Sequence, residues 1–137
     1  MNHEQACWNY LKLASVADQK GQWLPRNRLL LMVSITAARA GWLDLADKAR
    51  QLLIASNPRH PLNSPLPIAN SLNQESVQSL IDRYSRQVNY ERAEHLVLQS
   101  HDAQNLSPET SEYQACLELF HRLSTNTTGS SFSAEDA

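Results

Sequence analysis

The chain has 137 residues, 42% of them hydrophobic and 19% charged, and a formal net charge of −2. That length suits one domain burying roughly two-thirds of its unfolded surface without staples. The two cysteines, Cys7 and Cys116, form no CxxC pair, which leaves no disulfide framework or zinc ribbon to propose. No apolar run approaches the ~20 residues of a membrane span, no basic-then-apolar leader opens the chain, and a slightly acidic sequence without a Lys/Arg run is a poor nucleic-acid ligand, so a soluble, cytoplasmic monomer with no membrane or nucleic-acid partner is expected.

Glycine occurs only three times and strand-like alternation is missing, whereas several windows repeat apolar residues at helical spacing. An all-α protein of about six antiparallel helices follows. The first is predicted over about 3–20, with Asn2 and Gln5 as a capping pair, Cys7, Tyr10, Leu11, Ala14 and Ala17 on one face, and Gly21 at its end. The second runs from Pro25, suited to a first turn, to Ala40 before Gly41. Its apolar residues, among them Leu29, Leu30, Leu31, Met32, Val33 and Ile35, cover most of the circumference, which places it centrally. The third, 43–56, turns Leu45, Ala46, Ala49, Leu52 and Leu53 inward and stops at Asn57-Pro58.

Residues 57–71 hold four of the six prolines and are read as irregular. Leu62, Leu66 and Ile68 alternate with those prolines, and the expectation is that Leu66 and Ile68 pack on the helices while Arg59 and His60 face water. The fourth helix, about 72–87, carries the stripe Val77, Leu80, Ile81, Tyr84 and Val88; the fifth, about 90–103, starts at the N-cap Asn89 and buries Tyr90, Ala93, Leu96, Val97 and Ser100. The sixth opens at Ser107-Pro108-Glu109 and buries Tyr113, Cys116, Leu117, Phe120 and Leu123. Residues 125–137 have little to bury and read as a disordered tail. The folded unit is then 1–124, with the proline-rich segment between two three-helix halves. Charge divides similarly: residues 1–60 hold eight Lys/Arg against four Asp/Glu, a balance of +4, and residues 61–137 four against ten, a balance of −6.

Gly41, Leu43, Ala46 and Pro58, preceded by Leu30, Val33, Ser34 and Ala37, keep the spacing of small, large and terminating residues found in one helical repeat, and Tyr84, Tyr90 and Ala93 follow it more loosely. In this the chain resembles the tetratricopeptide repeat, although 47 residues separate Gly41 from Val88 where the repeat period is about 34. The resemblance implies an array of antiparallel helices that binds a peptide or another protein, and no enzymatic activity.

No residue pattern supplies chemistry. His3, His60, His95, His101 and His121 form no HxxxH or HExxH pair, and Cys116 and His121 diverge on a helix by about 140°. With three glycines no phosphate cradle can be built, and no catalytic, cofactor or metal residues are assigned. A helix-turn-helix around Ala37 and Gly41 fails at Asp47, where a buried aliphatic belongs. Trp23 and Trp42 each follow a glycine turn, which suggests one shared end of the helical layer. As core plugs they need no function; as partly exposed aromatics beside Arg26 and Arg28, with Arg59 and His60 from the loop, they would anchor a partner. The expected function is a helical protein–protein or peptide interaction module, the alternative a small enzyme or ligand-binding protein with its site hidden in the sequence.

Overall fold

The computed structural model describes residues 3–99 and 113–123, and among them it holds seven helices and no strand. They are α1 (His3–Gln19), α2 (Trp23–Arg39), α3 (Leu43–Ser56), α4 (Ile68–Leu72), α5 (Glu75–Gln87), α6 (Tyr90–Gln99) and α7 (113–123). The first three form an antiparallel layer, α2 between α1 and α3, while α6 packs on α1 and α5 on α2. Every residue from Leu30 to Ala37 is buried, so the all-round apolar pattern of α2 does mark a helix covered on several sides.

The turns after α1 and α2 are built alike. At each, a glycine in the left-handed region (Gly21 φ 69°, Gly41 φ 87°) lets two amides reach back to carbonyls the helix leaves unpaired: Gly21 to Asp18 and Gln22 to Ala17, then Gly41 to Ala38 and Trp42 to Ala37, all at 2.8–3.1 Å. The N-terminal start of α2 differs from expectation. It begins at Trp23, two residues before Pro25, because first-turn amides need no helical acceptor and a proline at the third position loses nothing.

Seven helices rather than six arise because the proline-rich segment ends in helix. Beyond Pro67 the sequence Ile68-Ala69-Asn70-Ser71-Leu72 lacks prolines and closes one turn, α4, with Ile68 and Leu72 buried. A break at Asn73 and Gln74 then separates it from α5, which starts at Glu75 and not at residue 72. Within the segment Leu62 is fully buried, but Leu66, expected to pack, is 38% exposed. Its carbonyl holds it in place instead: Arg50 of α3 donates to Leu66 O at 2.8 Å and to the Ser71 hydroxyl at 3.2 Å, and also pairs with Asp47.

The predicted inward faces of α1 and α3 are found where expected, while on α6 Ala93 and Val97 are buried, Tyr90 and Leu96 are half-buried and Ser100 lies outside the described residues. The Ser34 hydroxyl reaches the carbonyl of the fully buried Ala46 across the α2–α3 contact at 3.2 Å. Asn89 caps α6 by accepting from the Arg92 amide at 2.8 Å. Cys7 and Cys116 are both buried in the same apolar core and are not joined by a disulfide. Asn2, residues 100–103 of the fifth predicted helix, the Ser107-Pro108-Glu109 start and the predicted tail 125–137 lie outside the described residues.

Candidate functional site

At the Gly21 turn, Asp18 in the last turn of α1 faces Arg26 in the second turn of α2. Arg26 Nη1 and Asp18 Oδ1 stand 3.0 Å apart with both side chains almost wholly shielded from water. A carboxylate at a helix C-terminus and a guanidinium near a helix N-terminus each meet the wrong end of the helix dipole, and each is desolvated, so each depends on the other. Arg26 also donates to Asn27 Oδ1 at 3.1 Å, and Asn27 donates to the Ser56 hydroxyl at 3.3 Å, tying the end of α3 to the same tip. The guanidinium lies 4.8 Å from the centre of the Trp23 ring. Arg26, expected as a partner-facing cation, is thus an internal prop. What the tip presents to water is Trp23, 41% exposed, and Leu24, 72% exposed.

Trp42 is elsewhere. The 17 residues of α2 separate it from Trp23 by about 25 Å of helix, so the two rings occupy opposite ends and the expectation of a shared end is overturned. Antiparallel helices reverse direction at each turn, and successive glycine turns necessarily face opposite ways. Trp42 is half-buried, tilted against Tyr113 of α7 at 5.4 Å between centres. The Tyr113 hydroxyl donates to Asp44; that bond holds the Asp44 carboxyl below its ordinary range and raises the phenol. Arg59 is exposed and His60 half-buried, both shortly after Ser56 and hence at the Trp23 end. His60 Nδ1 accepts from the Leu62 amide at 3.1 Å, and burial lowers the imidazole pKa.

A second polar group closes the Trp42 end. The fully buried Tyr10 hydroxyl donates to the Val88 carbonyl at 2.6 Å and its ring meets Tyr90 edge-on. Tyr90 in turn accepts from Arg39 at 3.1 Å and hydrogen-bonds with His3 at 3.0 Å. Burial and the neighbouring Tyr90 raise the Tyr10 pKa, which keeps that phenol protonated as a donor. It lines neither the α3–α7 cleft nor the cleft beside Arg28, and its bond to Val88 braces α1 against the α5–α6 junction.

Two clefts stand out among the described residues. The wider, about 900 Å³, lies between α3 and α7, with Leu52 and Phe120 in its floor and the mixed charges Lys48, Glu118 and Arg122 around it. The narrower, about 300 Å³, is lined by Leu13 and Val16 of α1, Leu29 and Met32 of α2, Tyr84 of α5 and Leu96 of α6, with Arg28 as its one charged wall residue. Arg28 was legible as a surface cation in the sequence; its partner was not. Its guanidinium lies 5.8 Å from the centre of the Tyr84 ring, within cation–π range, and only the packing of α5 on α2 brings together residues 56 positions apart. Among the described residues no three His, Cys, Asp or Glu side chains converge to hold a metal ion, and no helix is long and apolar enough to cross a membrane. No family model, curated protein or solved structure significantly matches this chain.

Proposed function

We propose that the protein is a helical interaction module without enzymatic activity, working as a cytoplasmic monomer, and that the α1–α2 tip is where it meets another protein or peptide. The observation that carries this reading is an adjacent exposed pair, Trp23 and Leu24, on a tip held rigid by the buried Asp18–Arg26 pair. A large aromatic whose orientation is fixed beforehand loses little entropy on binding, and Trp and Arg dominate the energetics of interfaces. Lys20, Arg28 and Arg59 are exposed nearby and favour an acidic partner surface.

The repeat-like reading has support in the two equivalent glycine turns and in small Ala46 at the α2–α3 contact. The step from Gly21 to Gly41 is 20 residues, longer than half of a tetratricopeptide unit of about 34, so the likeness is one of packing chemistry.

Selection of a random twelve-residue peptide display library on the full chain tests the module. Enriched peptides should bind the wild type and lose about tenfold or more in affinity to Trp23→Ala, whose far-ultraviolet circular dichroism should be unchanged. A library without enriched binders defeats the module; binders indifferent to Trp23→Ala defeat the tip as its site.

A further inference from the structure

The 300 Å³ cleft adjoins the tip, with Gln22, Pro25 and Arg28 in its wall, but Trp23 and Leu24 do not line it. Its walls are mainly apolar and come from four helices, and its volume equals that of about ten water-sized groups at ~30 Å³ each, near the lower bound of small-molecule pockets. That is too little for a folded partner and suits a single unbranched chain of about ten carbons.

On the helices that form its walls, helical register places cations beside the wall residues. Along the helices that supply the walls, the charged residues standing one turn from a wall residue are Lys12 and Lys20 (either side of Val16), Arg26 (before Leu29, and paired with Asp18), Arg83 (before Gln87) and Arg92 (before Leu96). Residues three or four apart share a helix face, and Lys20 keeps that register because its amide bonds to the Val16 carbonyl at 3.2 Å. Within any one of those helices no acid occupies such a position, although Glu91 stands in the first turn of α6, three residues after Val88 of the wall. The nearest buried acid, Asp18, is neutralised by Arg26. Arg28 itself stands in the wall with its guanidinium over Tyr84, a planar two-pronged donor matched to a carboxylate. The remaining polar wall side chains are Gln22, Gln87 and Tyr84, and each can donate a hydrogen bond through its amide or hydroxyl.

We infer that this cleft binds a medium-chain aliphatic carboxylate, the chain lying between Leu13, Val16, Leu29, Met32 and Leu96 and the carboxylate held at Arg28. The apolar chain supplies affinity through burial. The cationic surroundings select the head group, since a neutral or cationic head on the same chain gains nothing from Arg28.

Calorimetric titration of the full chain with decanoate, decanol and decyltrimethylammonium, each below micelle formation, tests this. One decanoate should bind per chain, at least about fivefold tighter than the decyl cation, which is what a rim charge of this kind supplies. Arg28→Glu should remove that preference with circular dichroism and the melting midpoint unchanged, and Val16→Phe, which fills the cleft, should weaken all three probes. Trp23→Ala should leave decanoate binding untouched, which separates this site from the proposed docking tip. Equal binding of anion and cation, no saturable binding of decanoate, or unchanged binding by Arg28→Glu would each overturn the inference. Should either cleft variant unfold, methyl chemical shifts of wild-type Leu13, Leu29 and Met32 decide it: decanoate must move these and leave the methyls of Leu45 and Leu53 in place, and the opposite pattern refutes the site.

Discussion

The two glycine turns share one backbone design and end very differently. Twenty residues separate equivalent positions, so that Asp18 and Arg26 around Gly21 correspond to Ala38 and Ala46 around Gly41. One turn encloses a buried ion pair; the other lets α2 and α3 approach over alanine, closely enough for Ser34 to reach the Ala46 carbonyl. The aromatics differ as well. Trp42 at the Gly41 end is half-buried against Tyr113 of α7, while Trp23 at the Gly21 end lies over the buried guanidinium and is 41% exposed. Local sequence therefore decides how the chain turns, and distant segments decide whether the turn is open to solvent.

The largest effect separating the two ends should come from Asp18 and Arg26. Asp18→Ala or Arg26→Ala leaves one buried charge unmatched and should destabilise the fold by about 3–5 kcal/mol, measured by urea unfolding. The double variant, which makes the Gly21 end resemble the Gly41 end, should cost much less than the sum, and strictly additive losses would show that the pair is not coupled.

At the Gly41 end, the corresponding change is Ala46→Leu. Ala46 is fully buried at the α2–α3 contact, so added methylenes must push the helices apart, at about 1–3 kcal/mol. A loss near zero would mean that α3 can shift freely, against the close approach seen at Ser34.

The glycines themselves should show no difference. A methyl built on Gly21 or Gly41 meets nothing within 4 Å, so replacement by alanine is opposed only by the positive φ, roughly 1–2 kcal/mol at either site. Unequal losses for Gly21→Ala and Gly41→Ala would break the equivalence of the turns.

How much of this was legible in the sequence follows the same division. The periodicity of α1, α2 and α3 and the glycines after the first two were readable because each is decided within one or two turns of chain. Pro25 misplaced the start of α2, since proline marks a first turn without specifying which position in it. The segment 57–71 concealed α4 because four prolines outweighed five helix-compatible residues at its end. Leu66 misled for a different reason: its side chain follows the apolar pattern, yet its backbone carbonyl is what Arg50 grips, and no hydropathy pattern encodes that. At the candidate site, the exposed Trp23 and Arg28 stood out by residue type. The burial of Arg26 depended on Asp18 eight positions away across a turn, and the cleft depended on Tyr84 and Leu96 arriving from α5 and α6. Long-range placements of this kind leave no mark in local spacing.

The smallest effect is a difference in how acid reaches the two ends. His60 sits at the Gly21 end, half-buried, with an imidazole pKa lowered by burial from the ordinary 6.5, and its Nδ1 must stay unprotonated to accept from Leu62. Since the folded state disfavours the charged ring, its contribution is complete above about pH 6.5 and is lost as pH falls through the lowered folded value. Asp44 at the Gly41 end also has a lowered pKa, here because Tyr113 donates to it, but it starts from an ordinary 3.8. Its contribution therefore persists until far more acidic conditions. Acid should loosen the Gly21 end first. Amide exchange at Leu62, corrected for its intrinsic pH dependence, should quicken between pH 7 and pH 5, while the Asp44–Tyr113 contact, followed through the Tyr113 ring resonances, holds until below about pH 4. His60→Gln removes the titrating ring and should leave Leu62 exchange flat over that interval. A pH response that survives in the variant would assign the loosening to another group, and simultaneous loss at both ends would show that the two turns respond to acid as one cooperative unit.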